Sequence, residues 1–399
     1  MTRSTRAPRV LMVVGAYAPE IAGGSLQCRT LVHALADRVR FSIFTTTSDR
    51  AVAIDDRVDG VPVRRMFVDA KRPITKLTAA GRLARLAPAL IASHDVLHFH
   101  GFTEKMLPLV VAAKLGGRRT IEKMTSLGWD DPVSIRTRPR GRWLAAAMAR
   151  VDRFVAINPA MEQRCEAAGV PRARVRLIPN GVDTARFAPV DAARRAHLRA
   201  QLGLPPSAII VAFVGFWSRE KGPHVLFEAW RAARAASGPP TALVYIGSTS
   251  PAHAEVDASL VAHVRDQIRA ERLDDAVHFV EHTPAVEAYL QAADVFALPS
   301  TREGMSNALL EAMSSGVPSI ATAIPGVTDA MIDDGVTGWV VPPDGTHVLA
   351  DRLRVLFADA DLRARVGRAA RASVLARFSI GAVAGAYFSL YTELLSRST

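Results

Sequence analysis

Short apolar, β-branched runs alternate along this chain with longer Ala/Leu/Arg stretches of helical period, and the alternation comes as two successive series. Strand-length runs each followed by a helix predict parallel sheets covered by helices. The first series places strands at Val10 to Val14, Val39 to Thr45, Val63 to Phe67, Asp95 to Phe99, Arg119 to Lys123 and Arg153 to Ala156. The second places them at Ile209 to Val214, Ala242 to Ile246, Val277 to Val280, Val295 to Ala297, Ser319 to Ala321 and Gly338 to Val341. Between the series, Ile178-Pro179-Asn180-Gly181-Val182-Asp183 concentrates turn formers, which puts the domain connection there. The expected fold is α/β: two facing, doubly wound domains, 1–183 and 184–378, with a cleft between them. In the final segment, 379–399, Val383, Tyr387, Leu390, Tyr391 and Leu394 recur at helical spacing, so that helix is expected to pack back toward the first domain.

A chain of 399 residues, 49% of them hydrophobic, can bury two such cores. Cys28 and Cys165 fall in helical stretches with neither metal-ligand nor disulfide spacing, which points to a reducing compartment. Val10 to Val14 is too short for a signal-peptide core, and no apolar run approaches the roughly 20 residues of a membrane span. A cytoplasmic protein is expected. The net charge of +12 is uneven: residues 1–183 hold 30 Lys+Arg against 16 Asp+Glu, and 184–399 hold 20 against 22. No nucleic-acid-binding motif accompanies the basic half, so charge alone does not choose a polyanion. Amphipathic stretches do accompany it: Arg64-Arg65 through Lys71, Arg72, Lys76, Arg82 and Arg85 with Ile74, Leu77, Leu83 and Leu86, and Arg136 to Arg150 with Trp143, Leu144 and Met148. They suggest either docking on an anionic membrane or helices that simply cover the sheet.

Chemistry concentrates in Pro299-Ser300-Thr301-Arg302-Glu303-Gly304-Met305-Ser306-Asn307-Ala308-Leu309-Leu310-Glu311. A strand runs into a loop bearing Glu303, and a helix opens near Ser306 with Glu311 one and a half turns inside. The N–H groups of a helix start receive a diphosphate, which the helix dipole also favours. The useful partners of two carboxylates beside a diphosphate are hydroxyls: sugar hydroxyls for Glu303 and ribose hydroxyls for Glu311. Taken alone, the pair also fits a capped helix with two solvated glutamates.

Glu303 to Glu311, followed by Gly316-Val317-Pro318, resembles the E-x7-E region of the retaining GT-B glycosyltransferases of family 4. Other matches keep the family order: Gly23-Gly24, Asp95 to His100, Pro179 to Asp183 with Phe187, Gly215 through Lys221-Gly222, and Gly335 to Gly338. The resemblance covers nearly the whole chain and implies an acceptor-side first domain and a second domain that binds a nucleotide-sugar donor. It also implies retention of anomeric configuration, with Glu303 and Lys221 catalytic and Gly23, Gly24, Gly215, Gly304, Met305, Ser306, Asn307 and Glu311 around the donor. Phe216 stands where the family usually carries an arginine, and Arg219 is taken as the substitute. Met124 stands where many relatives have a histidine; His100, Lys123 and Met124 are the candidate sugar or acceptor contacts. His98 and His100 point the same way from one strand, yet no third ligand joins them and Asp359 to Asp361 lies in a helix, so no metal and no cofactor is expected. An NDP-sugar 2-epimerase and a non-catalytic carbohydrate-binding relative share the two-domain plan. Donor base, donor sugar and acceptor are not readable from these residues.

Overall fold

The computed structural model describes residues 6–20, 23–69, 72–235, 238–251, 253, 255–281 and 283–396. The chain divides into two compact units, 1–181 with 380–399 and 182–379. The first is built on eight strands: β1 (Arg9–Val13), β2 (Arg40–Thr47), β3 (Asp55–Val58), β4 (Val61–Phe67), β5 (Val96–His100), β6 (Arg119–Lys123), β7 (Arg153–Ala156) and β8 (Val175–Leu177). They lie in the order β3-β4-β2-β1-β5-β6-β7-β8, all parallel except the β3–β4 hairpin. Its helices are α1 (Gly23–Ala34), α2 (Pro73–Ala92), α3 (Met106–Leu115), α4 (Pro132–Arg136), α5 (Gly141–Met148) and α6 (Pro159–Ala167). The last helix of the chain, α14 (Ile380–Ser396), also belongs to this unit. It packs on α1 and buries Val383, Tyr387, Leu390, Tyr391 and Leu394, the five apolar residues of one stripe.

The second unit has the strands β9 (Ile209–Val214), β10 (Thr241–Ile246), β11 (Val277–Val280), β12 (Val295–Leu298), β13 (Ser319–Thr322) and β14 (Trp339–Val341), all parallel, in the order β11-β10-β9-β12-β13-β14. Its helices are α7 (Ala192–Gln201), α8 (Pro223–Arg234), α9 (Ala258–Ala270), α10 (Val286–Ala292), α11 (Asn307–Ser314), α12 (Thr346–Ala358) and α13 (Ala360–Arg377). Every residue of β10 is buried, as a central parallel strand between helical layers requires. Phe213, Trp217, Trp230 and Tyr245 fill the core beside it.

Two strands escape the sequence reading. β3 is an exposed, charged edge of sequence Asp-Asp-Arg-Val, closed onto β4 by Asp59 and Gly60, both at positive φ. Its Asp-Gly dipeptide was the available hairpin signal. β8 is a three-residue edge strand.

In each sheet the chain reverses its direction of winding once: between β1 and β5 in the first unit, and between β9 and β12 in the second. Loops leaving the carboxyl ends of such neighbouring strands diverge to opposite faces and open a crevice, the usual ligand position in open α/β sheets.

Candidate active site

The β9/β12 switch point of the second unit brings together the loops 215–222 and 299–306. Gly222 makes that approach possible. It sits at φ +69° as the residue preceding α8, and a Cβ there would lie 2.4 Å from the Pro299 carbonyl oxygen. The Thr301 amide donates to the Glu220 carbonyl at 2.8 Å, and Arg302 pairs with the Glu220 carboxylate at 2.6 Å. Held this way, Lys221 Nζ donates to Glu303 Oε1 at 2.8 Å, with Glu303 buried and the Lys221 side chain 28% exposed. Glu220, Thr301 and Arg302 are the supports that the sequence reading missed, because nothing in their spacing announces a cross-loop tie.

Next to Glu303 the α11 helix begins. Ser306 is its N-cap, its hydroxyl accepting from the Leu309 amide at 3.3 Å. Gly304, Met305 and Ser306 are buried, and Asn307 is half-buried. Glu311, inside the helix, keeps part of its surface open but is crowded closely enough that burial pushes its carboxyl up to about 7. Arg186 opposes that rise, and Glu287 adds to it. Arg186 is itself paired with Glu287 at 2.6 Å, which limits what it offers Glu311. Gly215 ends β9 with an ordinary φ; a Cβ there would sit 3.1 Å from the Phe213 ring.

The structure does not bring Arg219 to the Lys221–Glu303 pair. Its side chain is 69% exposed and its Nε lies 3.1 Å from Asp257 Oδ2, at the residue that caps α9. The direction of the turn explains this, since Ser218 accepts from the amides of Lys221 and Gly222 and the loop carries residue 219 outward. Phe216, at the position of the family arginine, lies with its ring centroid 5.6 Å from that of His253.

In the first unit Gly23 and Gly24 form the opening turn of α1, so the helix starts two residues before the expected Ser25. Gly24 has an ordinary φ, and a Cβ on it would make only an ordinary 3.8 Å contact with Thr125. At the carboxyl ends of β5 and β6, His98, His100 and Lys123 are buried on one side of the sheet with Tyr387 and Tyr391 of α14. His98 Nδ1 lies 2.8 Å from the Tyr391 hydroxyl. Burial holds both imidazoles far below the usual histidine range and pushes Lys123 down to about 8. Met124 is corrected from a candidate contact to a core residue: it is fully buried with its sulfur 3.8 Å from Cys165 Sγ, because strand alternation turns it to the opposite side from Lys123. Asp130 braces the loop that follows, accepting from the Thr125 amide and hydroxyl and the Ser126 amide. Among the described residues, no group of three or more His, Cys, Asp or Glu is gathered to hold a metal, and both cysteines are free and buried.

The paired lysine and carboxylate lie at the switch point of a parallel sheet beside a capped helix start, the position where open α/β sheets take ligands and helix N-termini take anions. Two family models together span most of the chain: "Glycosyltransferase Family 4" over residues 21–186 and "Glycosyl transferases group 1" over 194–373. The chain is 30% identical to the D-inositol 3-phosphate glycosyltransferase of Kribbella flavida, over 83% of this chain and 81% of that protein. It is 28% identical to the enzyme of the same name from Kineococcus radiotolerans, over 98% and 96%. Among solved structures, Anabaena Alr3699/HepE in complex with UDP and glucose superposes with a TM-score of 0.77 at 19% identity, covering 97% of this chain and 100% of that one. Sucrose-phosphate synthase from Thermosynechococcus elongatus does so with a TM-score of 0.78 at 23% identity, covering 98% and 100%. The fold is GT-B, and the chain belongs to the family 4 glycosyltransferases. It is an enzyme that transfers sugar from a nucleotide-sugar donor.

Proposed function

We propose that the chain is a retaining glycosyltransferase using a UDP-sugar, with its donor site at the β9/β12 switch point. The observation that carries this reading is the 2.8 Å Lys221–Glu303 pair beside the start of α11. With no donor bound, the two charges neutralise one another. When the donor arrives, Lys221 exchanges Glu303 for the diphosphate, and Glu303 accepts from hydroxyls of the sugar. Gly304, Met305, Ser306 and Asn307 line the diphosphate at the helix start, and the Glu311 carboxylate accepts from the ribose. Gly215 allows backbone to come close to the nucleotide, and Gly23 and Gly24 do the same on the first unit. His100 and Lys123 are the contacts proposed for the sugar or the acceptor, which is a glycan, a lipid-linked saccharide or a small molecule. The relatives' printed name makes a polyol phosphate worth including.

The chemistry asked of the protein is positioning and electrostatic stabilisation of the leaving diphosphate. The acceptor attacks the anomeric carbon on the face from which UDP departs. Its proton passes to the leaving phosphate, so configuration is retained. Because Lys221 and the helix start supply the positive charge, no divalent metal is needed. The test is turnover of an α-linked UDP-sugar in excess EDTA, with the anomeric coupling constant of the product read by NMR. An α-product formed at an undiminished rate is expected. A β-product overturns retention, and activity lost in EDTA but restored by Mg²⁺ or Mn²⁺ overturns metal independence.

Glu311 adds a pH signature. Its carboxyl keeps its proton to about 7 in the folded chain, whereas an unfolded glutamate loses it near 4.5. The folded state therefore binds more protons between those values, and this residue's contribution to stability falls as pH rises through the window. Ribose binding runs the other way, because it needs the carboxylate. UDP affinity should rise about tenfold from pH 6 to pH 8 as the competent fraction grows. Calorimetric titration of Glu311→Gln should lack that increment; an identical pH dependence in the variant removes Glu311 from the ribose site.

A further inference from the structure

On one side of the first sheet, α3 packs against both α2 and α5. These three helices carry Lys76, Arg82, Arg85, Lys114 and Arg142, and no aspartate or glutamate. Arg82, Arg85 and Arg142 are exposed, and Lys114 is paired with Asp152 at 2.6 Å. Lys71 and the side chains of Lys76 and Leu77, which belong to the basic stretch noted in the sequence, lie outside the described residues. The same three helices expose apolar side chains: Ile74 is 64% exposed, Val111 48%, Leu115 86% and Trp143 73%. Ala84 and Pro88 of α2 and Leu107, Val111 and Leu115 of α3 line an open groove. Leu83, by contrast, is buried in the core, so only part of the amphipathic pattern serves the interior.

Abundant arginine does not by itself produce such a face. In the second unit the arginines of α9, α12 and α13 are mixed with acid, Asp266, Asp351 and Asp361, while α7, which carries no acid, turns Arg195 and Arg199 onto Asp294. Water-facing helices gain from that interleaving and from few large exposed apolar groups. The α2–α3–α5 layer has neither property.

We propose that the α2–α3–α5 face docks the chain on an anionic lipid leaflet. Arg82, Arg85 and Arg142 meet lipid phosphates while Val111, Leu115 and Trp143 enter the boundary between headgroups and acyl chains. A nucleic-acid backbone rewards the cations alone and has no use for the exposed apolar groups. Docking is independent of the donor chemistry, but it deepens the proposed function by favouring a lipid-linked or membrane-proximal acceptor.

The test is co-sedimentation of the full chain with phosphatidylcholine vesicles, with and without about 30 mol% phosphatidylglycerol, at about 50 mM salt and again at about 0.5 M. Binding to the anionic vesicles at low salt is expected. Arg82→Glu with Arg85→Glu should weaken it at least roughly tenfold, and so should Leu115→Ser with Trp143→Ser. The same charge reversal on the second unit, Arg365→Glu with Arg368→Glu on α13, should change it by less than about twofold. Wild-type chain remaining in the supernatant overturns the proposal, as does an equal loss in the α13 variant. Unweakened binding of the Leu115/Trp143 variant, with duplex DNA competing for the protein, reassigns the face to polyanions. UDP titration of each sample keeps the outcomes separate, since failure to sediment with intact UDP binding sinks docking alone.

Discussion

Lys221→Ala and Glu303→Ala should each lower kcat/KM for glycosyl transfer by roughly 10²–10³, the range for removing one preorganised group from a site of developing charge. In the proposed reaction Lys221 is the cation at the leaving diphosphate. Without it, the buried Glu303 also loses its 2.8 Å partner, so the site is damaged twice. Glu303→Ala frees Lys221 but leaves the sugar without its acceptor group. Because the two residues are paired without donor but hold different parts of it once bound, the double variant should lose more than either single one and less than the product of the two losses. Glu311→Ala should chiefly raise KM for the donor, and Arg219→Ala should stay within about threefold, since that arginine is bound to Asp257 on the outer side of the loop. Steady-state kinetics on all five variants checks this. Undiminished turnover in Glu303→Ala removes it from the site, and a hundredfold loss in Arg219→Ala returns that residue to it.

Asp294→Ala should destabilise the second unit as strongly as truncating a buried core residue. Asp294 lies just before β12 and accepts from the Ile210 amide of β9 at 2.7 Å, from Arg199 at 2.6 Å and from Arg195 at 2.7 Å. Arg199 is 8% exposed in its side chain and spends its other donors on the carbonyls of Ala292, Pro206 and Ala208. Removing the carboxylate strands a buried guanidinium, a loss of about 3–5 kcal/mol. For a unit of this size that lowers the melting temperature by roughly 10 °C. Thermal unfolding followed by circular dichroism should show it, with Asp294→Asn intermediate because an amide oxygen still accepts. A shift of only a degree or two means that the arginines find water instead. Asp95 does the matching work in the first unit, accepting from the Arg9 amide and guanidinium at the start of β1. In both units, then, an aspartate ties the two switch-point strands at the end opposite the binding loops.

Much of this was readable in advance, for identifiable reasons. Buried parallel strands have no solvent face, so their apolar runs stand out; Arg119–Lys123, Arg153–Ala156 and Ile209–Val214 coincide with their expected bounds. The edge strands β3, which is charged, and β8, which is three residues long, carry no such run and were missed on that account. The loop of Glu303 and the helix of Glu311 were legible because strand, loop and cap follow one another in sequence. What joins Glu303 to Lys221 was not, since it depends on Gly222 meeting Pro299 and on Glu220 meeting Thr301 and Arg302, contacts between segments some 80 residues apart. Arg219 shows the cost: charge and proximity in sequence suggested a clamp, and the turn points it toward Asp257. Met124 makes the same point on a strand end, where alternation decides which of two adjacent residues is core. The tie of Asp294 to Arg199 was likewise invisible, because each residue alone reads as a solvated charge.

Calorimetric titration of the wild-type chain and Lys221→Ala with UDP decides whether Lys221 and Glu303 form the diphosphate-sugar end of a donor site, as proposed. One saturable site is expected on the wild type, with affinity reduced at least roughly tenfold in Lys221→Ala through loss of a charge-assisted contact to phosphate. Equal UDP affinity in the two proteins, or no binding of UDP to the wild type, would contradict it.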